Sequence, residues 1–143
     1  MRVKDIMTKK IVTVTATAKL SEVAPIFKKY KVSGVPVLDK KGLLVGVITI
    51  TDMLKMLKEI QYLKDMGQRV PDTIPMKETL IQEKDRATVS MKMSTPVWTA
   101  EEESDIEYVL ELMCNHNMHT IPVLRDGKLI GVVGASDIVD ACI

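Results

Sequence analysis

The chain has 143 residues, about the size of one domain, and its 46% hydrophobic and 27% charged residues are ordinary for a globular protein. A formal net charge of +1 does not favour the broad positive field of a nucleic-acid-binding or membrane-surface protein. No apolar run reaches the roughly 18 residues of a membrane span, and residues 1–5 show no apolar signal region. Two cysteines are too few for a disulfide framework, so we expect a reduced, cytoplasmic protein with no nucleic-acid or membrane partner.

The sequence repeats itself. Residues 3–39 align without a gap with residues 89–125. One residue is dropped in the turn that follows, after which Asp52 recurs as Asp137. Such self-similarity indicates a duplicated supersecondary unit, and neither unit need bury its apolar face alone. Two units predict a pair with pseudo-two-fold symmetry, and the chain length predicts that they share one core.

Each copy opens with a strand and a helix. β-Branched residues predict a short strand at 11–15, and residues 97–99 stand in its place in the second copy. Apolar residues at three- and four-residue spacing predict a helix that includes Leu20 in the first copy and Ile106 in the second.

The two predicted helices differ at their starts. Pro25 lies well inside the first helical pattern, so we expect that helix to start late or to kink. In the second copy, Ser104 and Glu107 have the spacing of a capping box, which predicts that this helix begins just after Ser104.

A hairpin and a second helix complete each copy. Residues 35–38 predict a buried strand with Pro36 at its beginning or edge, and a glycine-containing turn joins it to a strand at 44–49. A helix is expected after Asp52 and after Asp137, since aspartate suits a helix N-cap. Each copy therefore reads strand, helix, strand, strand, helix, which predicts a mixed α+β fold.

A long connection, residues 58–88, separates repeat 1 (residues 1–57) from repeat 2 (residues 89–143). Helical apolar spacing extends over 53–66, and a further short helix is indicated near 77–83. The connection is longer than a simple bridge needs, so we expect it to pack on the module or to mediate a contact.

The sequence resembles a known family in the two strands of the hairpin and the turn that follows them. Gly-Val-Pro-Val-Leu-Asp at 34–39 and Gly-Val-Ile-Thr-Ile-Thr-Asp at 46–52 resemble the cystathionine-β-synthase (CBS) domain family, and Asp-Ile-Met-Thr at 5–8 is similar to its usual opening. The two copies resemble a tandem CBS pair, or Bateman module. The resemblance implies a regulatory module, not an enzyme, that binds AMP, ADP, ATP or S-adenosylmethionine in clefts between the copies. It also implies a homodimer of pairs and a separate effector protein.

The ribose-binding carboxylate is the most specific candidate residue that the resemblance implies. A carboxylate accepts the protons of both ribose hydroxyls through charge-assisted hydrogen bonds. In the family, this group is the Asp of a Gly-hydrophobic-x-Thr-x-x-Asp turn, which Thr49 and Asp52 match in full. The second copy keeps Asp137 but has Gly134 in place of the threonine, so the resemblance favours the cleft of Asp52. The alternative interpretation is that both aspartates only cap helices.

The base and phosphate contacts are less specific. We expect the first strand and the proline strand of each copy to line a base slot that includes Trp98, although the same residues would be apolar core in any case. His119 is the predicted phosphate contact, and Lys31 and His116 are nearby alternatives. The candidate ligand-binding residues are Asp52, Thr49, Thr51, Val12, Thr13, Val35, Pro36, Asp137, Thr99, Ile121, Pro122 and His119.

Other functions are open at this stage. A dimerisation or scaffold module without a ligand is favoured by Gly134 and by the long connection. A small enzyme would need a nucleophile or base with an orienting partner, and the sequence indicates none. Cys114, His116 and His119 lack the fourth ligand of a structural zinc site unless Cys142 or a partner chain supplies it, so we predict no metal and no required cofactor.

Overall fold

The computed structural model describes residues 1–66, 82 and 86–143. The first repeat contains α1 (Val3–Ile6), β1 (Val14–Thr15), α2 (Leu20–Lys29), β2 (Gly34–Leu38), β3 (Leu44–Thr49) and α3 (Ile50–Asp65). The second repeat contains α4 (Val89–Lys92), β4 (Ala100–Glu101), α5 (Ile106–His116), β5 (Thr120–Arg125), β6 (Lys128–Gly134) and α6 (Ala135–Cys142). The predicted α+β class and the β-α-β-β-α order are confirmed, and one short helix precedes each first strand.

Each repeat forms a three-stranded sheet whose central strand contains the proline. β2 pairs in parallel with β1 and antiparallel with β3, and β5 does the same with β4 and β6. Pro36 is the third residue of β2 and lies opposite Val47, so the prediction that it begins or edges the strand is wrong. The strand accepts this proline because β1 pairs only from Val37 onwards, which leaves one side of Pro36 beyond the end of β1.

The opening strands are shorter than predicted. β1 holds only the last two residues of the predicted run at 11–15. The predicted strand at 97–99 is wrong, because β4 begins at Ala100. Each opening strand pairs with only two residues of the central strand, so pairing within the sheet sets its bounds rather than local β-branched composition.

Two helix starts also differ from the prediction. α2 begins at Leu20, whose side chain is fully buried, and runs through Pro25, so a late start is wrong. Packing of the first turn against the core offsets the backbone hydrogen bond lost at the proline. The N-cap of α5 is Asp105, because the Ser104 hydroxyl instead accepts a hydrogen bond from the Glu101 N–H at 3.0 Å.

Part of the predicted connection lies in a helix. α3 covers most of the predicted helix at 53–66 and extends to Asp65. The short helix predicted near 77–83 lies outside the described residues, apart from Gln82. Within the parts of the chain that are described, no helix combines the length and the hydropathy needed to cross a membrane.

The leading segment of each repeat packs on the other repeat. We call residues 1–8 leader 1 and residues 87–94 leader 2. Val3 of leader 1 is fully buried in the core cluster of β4, β5, β6 and α5, whereas Val89 of leader 2 is fully buried in the cluster of β2, β3, α2 and α3. The predicted single core is therefore two clusters, and each cluster contains side chains of both repeats.

Backbone hydrogen bonds hold the exchanged leaders in place. The Thr8 N–H donates to the Val132 carbonyl at 2.8 Å, and the Ser94 N–H donates to the Val47 carbonyl at 2.8 Å. These bonds add the end of each leader to the last strand of the other repeat's sheet. Each leader therefore ends beside the turn between that strand and the following helix.

Candidate functional site

Asp52 and Asp137 occupy equivalent turns between a strand and a helix. Each is the third residue of its helix, so the prediction that they are N-caps is wrong. Asp52 Oδ2 accepts a hydrogen bond from the Thr49 N–H at 2.8 Å, and Asp137 Oδ2 accepts one from the Gly134 N–H at 2.7 Å. Each carboxylate thus satisfies a backbone donor at a helix N-terminus, where negative charge is favoured.

The Asp52 carboxylate is enclosed by protein donors. Its residue is only 5% exposed, and Oδ2 also accepts a hydrogen bond from the Thr49 hydroxyl at 3.0 Å. Oδ1 accepts a hydrogen bond from the Ser94 hydroxyl at 2.8 Å, which comes from leader 2. Oδ2 thus accepts two donors and Oδ1 accepts one, so a ribose that places both of its hydroxyls on this carboxylate has to displace the Ser94 hydroxyl.

The Asp137 carboxylate has fewer partners. Among the described residues, its only hydrogen bond is the one from the Gly134 N–H to Oδ2. Gly134 replaces Thr49 and brings no hydroxyl. Thr8, the equivalent of Ser94 in leader 1, lines the same cleft but forms no hydrogen bond with Asp137. Within the described part of the chain, Oδ1 therefore has no protein donor and can accept one from a ligand.

Two neighbouring clefts open beside these carboxylates. The Asp137 cleft has a volume of about 830 Å³, and the Asp52 cleft has about 570 Å³. Asp137 shares its cleft with Val12 of the first repeat, and Asp52 shares its cleft with Trp98 of the second. Each cleft thus combines a carboxylate of one repeat with the opening segment of the other. Four residues line both clefts, namely Ser33, Ile50, His119 and Thr120.

The Asp137 cleft brings apolar and cationic groups to its carboxylate. Its apolar and aromatic wall is formed by Val12, Phe27, Tyr30, Val32, Pro36, Ile50 and Val132. Its side chains that can donate hydrogen bonds are Thr8, Lys10, Tyr30, Lys31, Ser33, His119, Thr120 and Ser136. The cleft contains two lysines and one carboxylate, so its lining carries a net positive charge, which suits an anionic ligand.

The Asp52 cleft is partly filled by its own side chains. The Trp98 and His116 rings stack with their centroids 3.8 Å apart and their planes 10° apart. Trp98 is 37% exposed, and His116 covers one face of its ring. The aromatic surface that could receive a base is therefore shared with an imidazole.

The predicted ligand-binding residues divide between the clefts and the cores. Those lining the Asp137 cleft are Val12, Pro36, Asp137 and His119. Those lining the Asp52 cleft are Thr49, Thr51, Asp52 and His119. Val35 and Ile121 have no exposed surface, because they lie in the two core clusters. Thr13, Thr99 and Pro122 are not among the residues that line either cleft.

Sequence reasoning missed several cleft residues, of which Lys10, Tyr30 and Ser94 matter most. Ser94 could have been found, because the repeat alignment places it on Thr8 and a hydroxyl thus recurs at the end of each leader. No sequence signal marked Lys10 or Tyr30, because their place in the Asp137 cleft depends on how the two repeats pack together.

The paired clefts and the duplicated sheets agree with the family comparison. The family model for the CBS domain matches residues 3–59 and again residues 87–143. The chain belongs to the CBS domain family. Its two copies form a CBS pair, as the resemblance in the hairpin strands predicts.

Relatives of this CBS pair match it over nearly its full length. Uncharacterized protein MJ1426 of Methanocaldococcus jannaschii is 32% identical over 157 residues, covering 100% of this chain and 92% of that protein. The CBS domain of a CBS domain containing membrane protein from Sphaerobacter thermophilus has a TM-score of 0.74 and 30% identity, covering 100% and 88% of the two chains. The CBS domain pair of protein MJ0100, solved with 5-methylthioadenosine and S-adenosyl-L-methionine, has a TM-score of 0.72 and 27% identity, covering 99% and 94%.

Cys114, His116 and His119 are not gathered into one group of side chains in the part of the chain that is described. No group of three or more His, Cys, Asp and Glu side chains is arranged there to hold an ion. His116 instead stacks on Trp98, and Cys114 is an exposed free thiol.

Proposed function

We propose that this CBS pair is a regulatory module that binds an adenosine nucleotide in the Asp137 cleft and signals to a separate effector protein. The observation that supports this most is the Asp137 carboxylate, which faces a cleft with an apolar wall and two lysines. An adenosine nucleotide needs these three features: an acceptor for the ribose, a slot for the base and donors for the phosphates. MJ0100, the relative solved with 5-methylthioadenosine and S-adenosyl-L-methionine, supports the adenosine part of this ligand and does not bear on its phosphates.

The ribose and base would occupy the inner part of the cleft. Asp137 Oδ1 would accept the ribose hydroxyls, while the wall of Val12, Tyr30 and Pro36 would contact the base. Because β1 pairs with β2 only from Val37 onwards, the backbone beside Pro36 is not used by β1 and can contact an adenine edge. Apolar contact and a few directed polar groups are the usual composition of a small-molecule site.

The phosphates would lie near the cationic groups of the same cleft. Lys10, Lys31 and His119 lie on its lining and can donate charge-assisted hydrogen bonds to phosphate oxygens when protonated. The same positive balance disfavours S-adenosylmethionine, because its sulfonium group is cationic. The ligand is therefore an adenosine phosphate rather than a sulfonium compound.

The proposed site, the Asp137 cleft, differs from the Asp52 cleft that the sequence favours. Thr49 and Asp52 complete the family pattern, but Thr49 and Ser94 already donate to the Asp52 carboxylate. Asp137 has the incomplete pattern and the more accessible carboxylate. Ligand binding needs the accessible group, so the geometry favours the Asp137 cleft.

A thermal-denaturation panel tests the ligand class. We expect ATP and ADP to raise the melting temperature more than AMP does, and adenosine or S-adenosylmethionine to raise it least. A ligand at a hundredfold excess over its Kd stabilises the fold by about 2.7 kcal/mol, which corresponds to several degrees. The double variant Lys10→Gln/Lys31→Gln should lose most of the difference between ADP and adenosine while keeping its adenosine response.

The panel also has outcomes that would contradict the proposal. No response to any adenine nucleotide would count against ligand sensing. An equal response of the wild type and the double lysine variant to ADP would place the phosphates elsewhere.

A dimerisation module without a ligand is the second candidate. The observation that favours it is the exposure of three large apolar side chains on α3 and just after it, Leu54, Tyr62 and Met66. Tyr62 and Met66 are four residues apart and lie near each other at the end of the helix, and exposed apolar side chains of this kind suit contact with a second copy of the chain. A stable dimer that shows no response in the nucleotide panel would favour this function over ligand sensing.

A further inference from the structure

We infer that Ser94 and His116 close the Asp52 cleft to nucleosides by making the contacts that a nucleoside would make there. Each chain then binds one nucleotide, in the Asp137 cleft, until these two contacts are broken. The inference rests on the proposed function for the identity of the ligand. It adds which side chains decide between the two clefts.

Ser94 takes the place of a ribose hydroxyl. Its Oγ lies 2.8 Å from Asp52 Oδ1 and donates to it, as a ribose hydroxyl would. The Ser94 backbone is held by Val47 through two hydrogen bonds, of 2.8 Å and 3.3 Å. The hydroxyl is therefore positioned by leader 2 and cannot withdraw far without loosening that leader from β3.

His116 takes the place of a base. Its imidazole ring lies on Trp98 at the centroid distance and the near-parallel angle of a stacked pair. Both rings line the Asp52 cleft, so the stack occupies aromatic surface inside the cleft. A purine that stacks on the same face of Trp98 has to displace the imidazole.

The Asp137 cleft is an internal control for both contacts. The repeat alignment places Thr8 on Ser94, Val12 on Trp98 and Tyr30 on His116. All three of these residues line the Asp137 cleft. Thr8 forms no hydrogen bond with Asp137, and an aliphatic Val12 offers no ring on which Tyr30 could stack. The same positions therefore close one cleft and leave the other open.

These two contacts are strong enough to make a nucleotide prefer one cleft over the other. A hydrogen bond to a charged group is worth roughly ten- to a hundredfold in affinity, and an aromatic stack is worth roughly two- to tenfold. Since a nucleoside must break both, we expect the Asp52 cleft of the wild type to bind about a hundredfold more weakly than it would without them.

Calorimetric titration with ADP tests the inference. The wild type should bind one ADP per chain, and Ser94→Ala/His116→Ala should bind two, the second at least tenfold more tightly than any second site of the wild type. Trp98 is the only tryptophan, so its emission reports on the Asp52 cleft. It should change on ADP addition to the double variant and remain nearly constant in the wild type. Asn115→Ala, an exposed change on the same helix, should behave as the wild type.

The outcomes separate this inference from the proposed function. Two ADP of similar affinity per wild-type chain, or one ADP per chain of a folded double variant, would overturn the closure. The single variant His116→Ala, which leaves leader 2 untouched, should show a weaker second site and the same Trp98 response if the double variant folds poorly. Binding to the double variant alone would support the closure and contradict the Asp137 site, whereas no binding to either protein would contradict both.

Discussion

Asp137→Ala is expected to weaken ADP binding about a hundredfold, whereas Asp52→Ala should change it by less than about threefold. The expected loss corresponds to two charge-assisted hydrogen bonds from the ribose hydroxyls, each with a net contribution of about 1.5 kcal/mol or more. Asp52 contributes little, because Thr49 and Ser94 already hold its carboxylate in the neighbouring cleft. Calorimetric titration of the two variants beside the wild type measures both affinities.

An ADP analogue without ribose hydroxyls distinguishes lost recognition from lost structure. Asp137→Ala also removes the hydrogen bond to the Gly134 N–H and can loosen the start of α6. The wild type should bind the analogue about a hundredfold more weakly than ADP, while Asp137→Ala should bind both with similar affinity. If the variant still discriminated between ADP and the analogue, the ribose would not be bound by Asp137.

Val3→Ala is expected to lower the free energy of unfolding by about 2–3 kcal/mol and to loosen the second repeat rather than the first. Val3 is fully buried among side chains of β4, β5, β6 and α5, although it precedes β1 in the chain. Val89→Ala should have the mirrored effect, because Val89 is fully buried in the cluster of the first repeat. Denaturant unfolding measures the loss, and hydrogen–deuterium exchange locates it.

An exposed valine provides the control for these two variants. Val139 is 52% exposed on α6, so Val139→Ala should change the free energy of unfolding by less than about 0.5 kcal/mol. The packing of leader 1 on the second repeat would be contradicted if Val3→Ala increased deuterium uptake in β2 and β3 while β5 and β6 kept their protection.

The hairpins could be predicted from the sequence, because their signals are local. The predicted strand at 44–49 agrees with β3, and Gly42 in the preceding turn has a φ of 81°, which favours glycine. Val14 and Thr15 are the only part of the predicted first strand that pairs, because the length of that strand depends on its partner.

The exchange of the leaders could not be predicted from the sequence. Val3 and Val89 recur at equivalent positions, and this recurrence is the same whether each leader packs on its own repeat or on the other one. Only the three-dimensional structure shows which sheet each leader joins. The composition of both clefts depends on this choice, so the residues of one cleft could not be assembled from one repeat.

The sequence also could not show which of the two carboxylates is more accessible to a ligand. Thr49 completes the family pattern beside Asp52, and its hydroxyl is one of the donors that occupy this carboxylate. Gly134, which interrupts the pattern beside Asp137, removes that competing donor. A match to a motif reports which groups lie together, but accessibility depends on the hydrogen bonds between them.

A crystal structure of the CBS pair grown with ADP is the most direct test of nucleotide binding in the Asp137 cleft. We expect ADP in this cleft, with its ribose hydroxyls within hydrogen-bond distance of Asp137 and its phosphates near Lys10 and Lys31. The Trp98–His116 stack should persist in the neighbouring cleft. ADP bound at Asp52, with no nucleotide beside Asp137, would contradict the proposal.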